Sequence, residues 1–220
     1  MGLMTLEDFR TDLQSALGDR GIDNPRLDRW INHAYMDLTG GVRFEDLTEI
    51  NDSETVAGVA TISRPTDTRK VLIVKDVTND NLLGWIPKNE YLRRSSALSG
   101  IPENWTEIEN LIYLYPKPSG VLSIMTVYLR DPVPLQNPTD LTDISAVWDT
   151  VIWMLSVRYG LMALGEEQRA SFWLSNALAY IQSKLTEDEI QAMTSGLGRS
   201  LPNTMAQLLA AAQNLPSTGG

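Results

Sequence analysis

Apolar residues near the start of the chain recur at helical spacing. Leu6, Phe9, Leu13, Ala16 and Leu17 share one face. Thr5 is placed to cap that helix, and Glu7 and Asp8 sit in its positive first turn. Gly18 and Gly21 bracket a turn, and Asn24-Pro25 then marks a second start, with proline at the first helical position. Leu27, Trp30, Ile31, Ala34, Tyr35 and Leu38 form the next stripe, which Gly40-Gly41 ends. The spacing predicts helices over residues 6–17 and 25–39.

From Leu47 the period changes. Thr48–Thr55, Gly58–Ser63, Lys70–Thr78, Leu82–Ile86, Thr106–Glu109, Leu111–Tyr115 and Val121–Arg130 are short and rich in β-branched or aromatic residues. Turn residues separate them at Thr78–Asn81, Glu109-Asn110 and Pro116–Gly120. Such a series predicts a small antiparallel sandwich or barrel. One short helix is expected within Pro87–Leu98, with Tyr91, Leu92 and Ser95 facing inward. In the last strand, Leu122, Ile124, Thr126 and Tyr128 alternate with Val121, Ser123, Met125, Val127 and Leu129. Both sets are mostly apolar, so this strand is expected to be central and covered on both sides.

Helical spacing resumes over 146–164 and 167–184. Between Ala146 and Leu164 the only charges are Asp149 and Arg158. A membrane span is not expected, because each central charge would cost about 2.5–3.5 kcal/mol on insertion. A helix buried on two sides, the second against another subunit, fits better. The helix after Gly165-Glu166-Glu167 carries Ala170, Trp173, Leu174, Ala177, Leu178 and Ile181 on one face. Thr186–Glu189 caps a last turn or two, and Thr194–Gly198 reads as a linker. The expected class is α+β: a bundle of about four helices, two N-terminal and two C-terminal, with an inserted antiparallel β module. The segments are a helical hairpin (1–46), the β module (47–130), a second hairpin (131–193) and a flexible docking tail (194–220). Trp30, Tyr35, Trp148, Ile152, Leu155 and Trp173 are the expected helical core. Full burial of Trp148 would make Trp148→Ala cost about 3–5 kcal/mol.

Charge sharpens this picture. The 220 residues carry a net charge of −10. Residues 1–46 hold −4, 47–130 hold −1, 131–193 hold −6, and 194–220 hold +1 from Arg199 alone. A sequence-independent grip on nucleic acid is disfavoured, since each phosphate contact needs a Lys or Arg. Cysteine is absent and His33 is the single histidine, which removes disulfides, thiol nucleophiles and multi-histidine metal sites. Met1–Leu6 has neither a basic region nor an apolar run, so no signal peptide is expected. Glu107 and Glu109, about 7 Å apart on one predicted strand face, are the best pair for glycoside hydrolysis. No aromatic groove flanks them, and a solvated strand face explains them. Arg93-Arg94 is too short for a basic patch. No phosphate loop, nucleophile elbow or calcium loop is present. Neither a cofactor nor an enzymatic activity is expected.

The order of the pieces carries more information than any one of them. Trp30–Leu38 includes Ile31-Asn32-His33-Ala34-Tyr35, and Ser63-Arg64-Pro65 follows an early strand. Then come Leu111–Pro118, Tyr128-Leu-Arg-Asp-Pro132, Trp148–Trp153 and Leu161–Glu166. Over residues 5–185 this order resembles the head-to-tail adaptor (connector, head-completion) proteins of tailed bacteriophages. The resemblance implies a non-enzymatic virion protein at the head–tail interface, made in the host bacterial cytoplasm. It implies a homo-oligomeric ring, usually of twelve copies, below the phage portal protein. That ring prolongs the DNA channel, touches genomic DNA transiently and non-specifically, and receives downstream tail or stopper proteins. The acidic balance suits a channel that repels phosphates and lets DNA slide. The alternatives are a β-sandwich module binding carbohydrate or protein, and a hydrolase using Glu107 and Glu109.

The tail has its own pattern. Leu201, Met205, Leu208 and Leu209 recur at helical spacing, with Gln207, Gln213 and Asn214 off that face. An uncharged amphipathic helix suits a preformed apolar groove on the portal or a neighbouring copy. A chain ending at residue 193 should therefore melt like the full-length protein but fail to join portal rings. Co-sedimentation of both chains with portal rings checks this, and equal assembly would remove the docking role.

Overall fold

The structure, a computed structural model, describes residues 2–42 and 44–184. It is mixed α+β. Helices α1 (Leu6–Ala16) and α2 (Asn24–Gly41) come first. Strands β1 (Thr48–Glu54), β2 (Thr61–Ser63), β3 (Thr68–Asp76), β4 (Asn81–Leu82) and β5 (Gly84–Trp85) follow. Then come helix α3 (Lys88–Tyr91) and strands β6 (Ser99–Gly100), β7 (Asn104–Ile108), β8 (Leu111–Tyr115), β9 (Lys117–Pro118) and β10 (Ser123–Arg130). Helices α4 (Asp149–Ala163) and α5 (Glu167–Lys184) complete the order. The chain separates into a helical unit, built from Met1–Asp46 and the chain from Pro132, and a β unit, Leu47–Asp131.

In the helical unit, α1 opens on a reciprocal cap. The Thr5 hydroxyl accepts from the Asp8 N–H, and the Asp8 carboxylate accepts from the Thr5 N–H at 2.9 Å. The Thr5 contacts hold the Asp8 carboxyl below the usual carboxylate range. The next orphan donors, Leu6 and Glu7 N–H, donate to the carbonyls of Asp140 and Pro138, both at 3.0 Å. Arg10 is buried, yet its fork is filled. Nε and Nη2 donate to the two Asp28 carboxylate oxygens at 2.6 and 2.8 Å, and Nη1 donates to Glu7 at 2.7 Å. This bidentate pair joins α1 to α2.

The segment that returns from the β unit to α4 has little regular structure and is held by side chains. Asn32 donates to the Leu135 carbonyl at 2.9 Å and accepts from the Leu135 N–H at 2.8 Å. The Tyr35 hydroxyl accepts from the Asp143 N–H at 2.9 Å. Asp46 accepts from the Ser145 N–H at 2.9 Å. At the start of α4 the buried Asp149 carboxylate accepts from the N–H groups of Leu3 (2.7 Å) and Met4 (3.0 Å), and from the Thr142 hydroxyl (3.2 Å). The positive end of α4 favours that charge.

Helix α4 is buried most of the way round through Val151, Ile152, Leu155, Val157 and Leu161. Helices α1 and α2 pack on it, and α5 covers a further side. The second apolar side expected to meet another subunit is thus filled by α5 of the same chain. Gly160 permits the close approach: a Cβ there would lie 2.7 Å from Leu17 Cδ1 and 3.3 Å from Trp30 Cε3. Gly165, at φ +77°, ends α4 in a left-handed turn in which the N–H of Glu166 reaches the Leu161 carbonyl at 2.9 Å. Tyr159 donates its hydroxyl proton to the Asp37 carboxylate on α2.

The β unit has two four-stranded sheets, ordered β1-β10-β3-β4 and β2-β8-β7-β5, and a small β6-β9 pair. Ile62, Val71, Val74, Leu83, Trp105, Ile112, Leu114 and Ile124, drawn from both sheets and the turn between β4 and β5, form one buried cluster. Among the described residues each sheet keeps two free edges, so neither closes into the barrel offered as one expectation. The main pairings are antiparallel, but β5–β7 and β6–β9 are parallel pairs of two residues each. The expected strand over 82–86 is split: β4 ends at Leu82, Leu83 turns into the core, and β5 joins the other sheet. The expected helix within 87–98 is the single turn α3. Tyr91 is half-buried, while Leu92 is exposed and Ser95 follows the turn without reaching the core. So short an element fixes only the side chain that meets Tyr113 and Tyr115, edge-on at 5.4 and 6.4 Å.

Two outcomes follow from the helical unit. Asp149→Ala strands three donors and should destabilise the protein by about 2–4 kcal/mol, with Asp149→Asn intermediate, both read by urea unfolding. Burial first, then the hydrogen bond to Asp37, pushes the Tyr159 phenol up from 10.0 to about 12. The unfolded state therefore loses this proton first as pH rises. The contribution is intact below pH 10 and lost as pH rises to about 12, so a stability–pH profile should fall less steeply across that window for Tyr159→Phe.

Candidate assembly surface

Strand alternation decides which β-unit side chains meet the core. On β10, Ile124, Thr126 and Tyr128 are buried, while Ser123, Met125 and Val127 point the other way and are half-buried. Leu129, the last of that outer set, is buried, so the expectation that β10 is covered on both sides holds only at that end and is corrected over Ser123–Val127. The strand is interior to its sheet, but within the β unit no element fills its outer face there.

Register sets what that face presents. Val127 lies opposite Ile50 on β1 and Ile73 on β3. The next rank runs Asp52, Met125, Lys75 and Leu82 across β1, β10, β3 and β4. Ile50 is 63% exposed, Ile73 42% and Leu82 65%. The result is a contiguous aliphatic patch crossed by one acid and one base, and Lys75 also pairs with Asp80 at 2.5 Å. Scattered exposed aliphatics are ordinary, whereas contiguous ones make this face a candidate contact surface. The edge strand β1 carries Glu49, Asp52 and Glu54, and Glu49 pairs with Arg130 at 3.0 Å. Those acids disfavour strand addition at the edge.

A second apolar group lies at one end of the β unit. The Thr55 N–H donates to Leu122, Gly58 to Pro118 and Val77 to Ser123, at 2.8–2.9 Å. These bonds gather three loops and leave Val56, Val59, Val77 and Val121 exposed there. In the helical unit, Phe172 is exposed beside Trp173, which sits edge-on to Trp153 at 5.0 Å.

The residues singled out from sequence fall in several places. Trp30 and Tyr35 on α2 and Ile152 and Leu155 on α4 are buried. Trp148 is half-buried just before α4, edge-on to Phe44 at 5.2 Å. The cost argued for a fully enclosed Trp148 therefore does not apply. Trp173 is half-buried on α5. Glu107 lies on β7 and pairs with Arg64 at 3.3 Å. Glu109 is not on that strand. It is exposed in the two-residue β7–β8 loop at φ +58°, because the hairpin turns immediately after Ile108. The two carboxylates thus do not share a strand face. His33 is exposed, with its ring edge-on to Tyr159 at 6.0 Å. Arg94 donates to Glu90 and Asn104 and lies 4.8 Å over the Tyr115 ring. Leu201, Met205, Leu208 and Leu209, like the predicted turn at Thr186–Glu189, lie outside the described residues.

Sequence reasoning did not single out Asp149, Asn32 or Arg10 as fixed points. For Asn32 a signal was present, since it sits within Ile31–Tyr35, the stretch quoted for the resemblance. Among the described residues no three His, Asp or Glu side chains converge as a metal site. None of their helices is long and apolar enough to cross a membrane. Residues 4–200 match the sequence model of the SU10 adaptor protein family. No curated protein matches the chain.

Proposed function

We propose a role that starts from membership: the chain belongs to the SU10 adaptor protein family. It is a bacteriophage structural adaptor, a virion component that interacts with other head or tail proteins. The finer proposal is a ring of copies, usually twelve, bound below the portal at the head–tail interface. The ring extends the DNA channel and offers the surface on which tail or stopper proteins assemble. It has no catalytic role.

The observation that carries this reading is the outer sheet face at Ile50, Val127 and Ile73. Its sheet already fills a core with the opposite face, so its aliphatic ranks are left for another protein. A carbohydrate module is less well supported, because sugars are met by splayed aromatic rings and this face is aliphatic. The net charge of −10 fits a lumen that repels phosphates and does not retard DNA.

Mixing the full-length chain with portal rings should give a complex with a ring of this protein below the portal by negative-stain electron microscopy. The double variant Ile50→Asp, Ile73→Asp changes exposed positions and should alter stability by less than about 1 kcal/mol. It should nevertheless lose assembly. A variant that melts normally and assembles like the parent would remove this face from the interface.

A further inference from the structure

We infer that the outer face of the β1-β10-β3-β4 sheet receives the C-terminal segment of a neighbouring copy, through Leu201, Met205, Leu208 and Leu209. The inference rests on the proposal that copies assemble side by side. It goes further by naming the occupant of the exposed face.

Three observations select that occupant. The first is size. Residues 201–209 at helical rise span about 12 Å. The patch from Ile50 on β1 to Leu82 on β4 crosses four strands, about 14 Å. A helix laid across the strands would set its apolar side chains over the Ile50-Val127-Ile73 rank, with Met125 and Leu82 on either side of Lys75 beside it.

The second is charge. The patch is bordered by Asp52 and Glu54 on β1, which follow Ile50 on the outer face. A second copy of the same face would bring the same acids against them, in a chain that is already strongly acidic. Residues 194–220 contain no acid and one base, Arg199. This is the only one of the four charge segments with a positive balance. Arg199, two positions before Leu201, would fall beside the acidic border.

The third is reach. The described chain stops at Lys184. The 16 residues from 185 to 200 can span at most about 55 Å when extended. That exceeds the roughly 30 Å diameter of a unit this size, so the segment is long enough to leave its own copy.

The absence of cysteine makes the test clean. Two full-length chains are prepared, one with Ile73→Cys and one with Leu208→Cys, and are assembled together with portal rings. They are then treated with a short bis-maleimide. The expected product is a covalent pair joining the two different chains, identified by mass spectrometry as a link between positions 73 and 208. The pair should be lost when Leu201 and Leu209 are changed to Asp. Ser171→Cys, on the exposed face of α5, replaces Ile73→Cys in the control and should give no pair with Leu208→Cys. A lysine-reactive cross-linker applied to the same assembly reports whether copies are neighbours at all. Multimers with that reagent but no 73–208 link overturn this inference and leave the ring standing. Single chains with both reagents overturn the ring and the inference together. Links joining position 73 of one chain to position 73 of another would assign the face to a second copy of itself and likewise overturn the proposed occupant.

Discussion

The helical unit depends on one buried carboxylate. Asp149 accepts from the backbone of Leu3 and Met4, which lie 146 and 145 positions earlier in the chain. The two halves of this unit are separated in sequence by the whole β unit. Apolar packing between α1, α2 and α4 attracts those halves without fixing their register. Hydrogen bonds to backbone groups do fix it, because a buried donor left unpaired is costly. The same logic runs along the return segment. Asn32 takes both backbone groups of Leu135, Tyr35 takes the Asp143 N–H, and Pro138 and Asp140 take the first donors of α1. The irregular stretch before α4 is thus a set of acceptors and donors matched to α1 and α2, with no need for strand or helix of its own.

The β unit has a different constraint, a sheet with two unlike faces. Thr126 and Ile124 on β10 look into a core shared with Val74, Trp105 and Leu114. The alternate residues of the same strand continue a row that starts at Ile50 and ends at Ile73. A solitary chain gains nothing from aliphatic residues there, and polar residues would serve its solubility better. On the proposed reading, a partner completes their burial.

Periodicity made the long helices visible in the sequence, since a stripe such as Leu27–Leu38 has a single burial solution. β-branched runs likewise marked β1, β3, β8 and β10. What escaped was whatever depends on residues distant in the chain. The two-residue strands β4, β5, β6 and β9 have too few side chains to show a period, and tertiary pairing alone defines them. Glu109 looked like strand until the hairpin placed it in the turn. Asp149 read as one charge in an apolar helix, and only the arrival of Leu3 and Met4 explains why it is tolerated there. Alternation in Val121–Arg130 correctly identified a strand apolar on both faces. Double coverage does not follow from that pattern, because alternation does not say whether each apolar face is met by the same chain. The outer face of β10 was therefore visible as composition and hidden as exposure.

Among the described residues an exposed apolar face lies beside a free strand edge, which is also a hazard, and β1 shows how the hazard is limited. An unpaired edge of seven residues would accept any extended segment through its backbone, with little regard to side chains. Glu49, Asp52 and Glu54 along β1 set a charge barrier against most of this acidic chain and against other acidic proteins. The proposed recognition thereby moves from the edge to the face, where side-chain shape and the spacing of Ile50, Val127, Ile73 and Leu82 would do the selecting. Edge pairing propagates from copy to copy without a stop, whereas docking on a face ends once the face is filled. In the ring proposed above, acids on the edge and aliphatics on the face serve the same end.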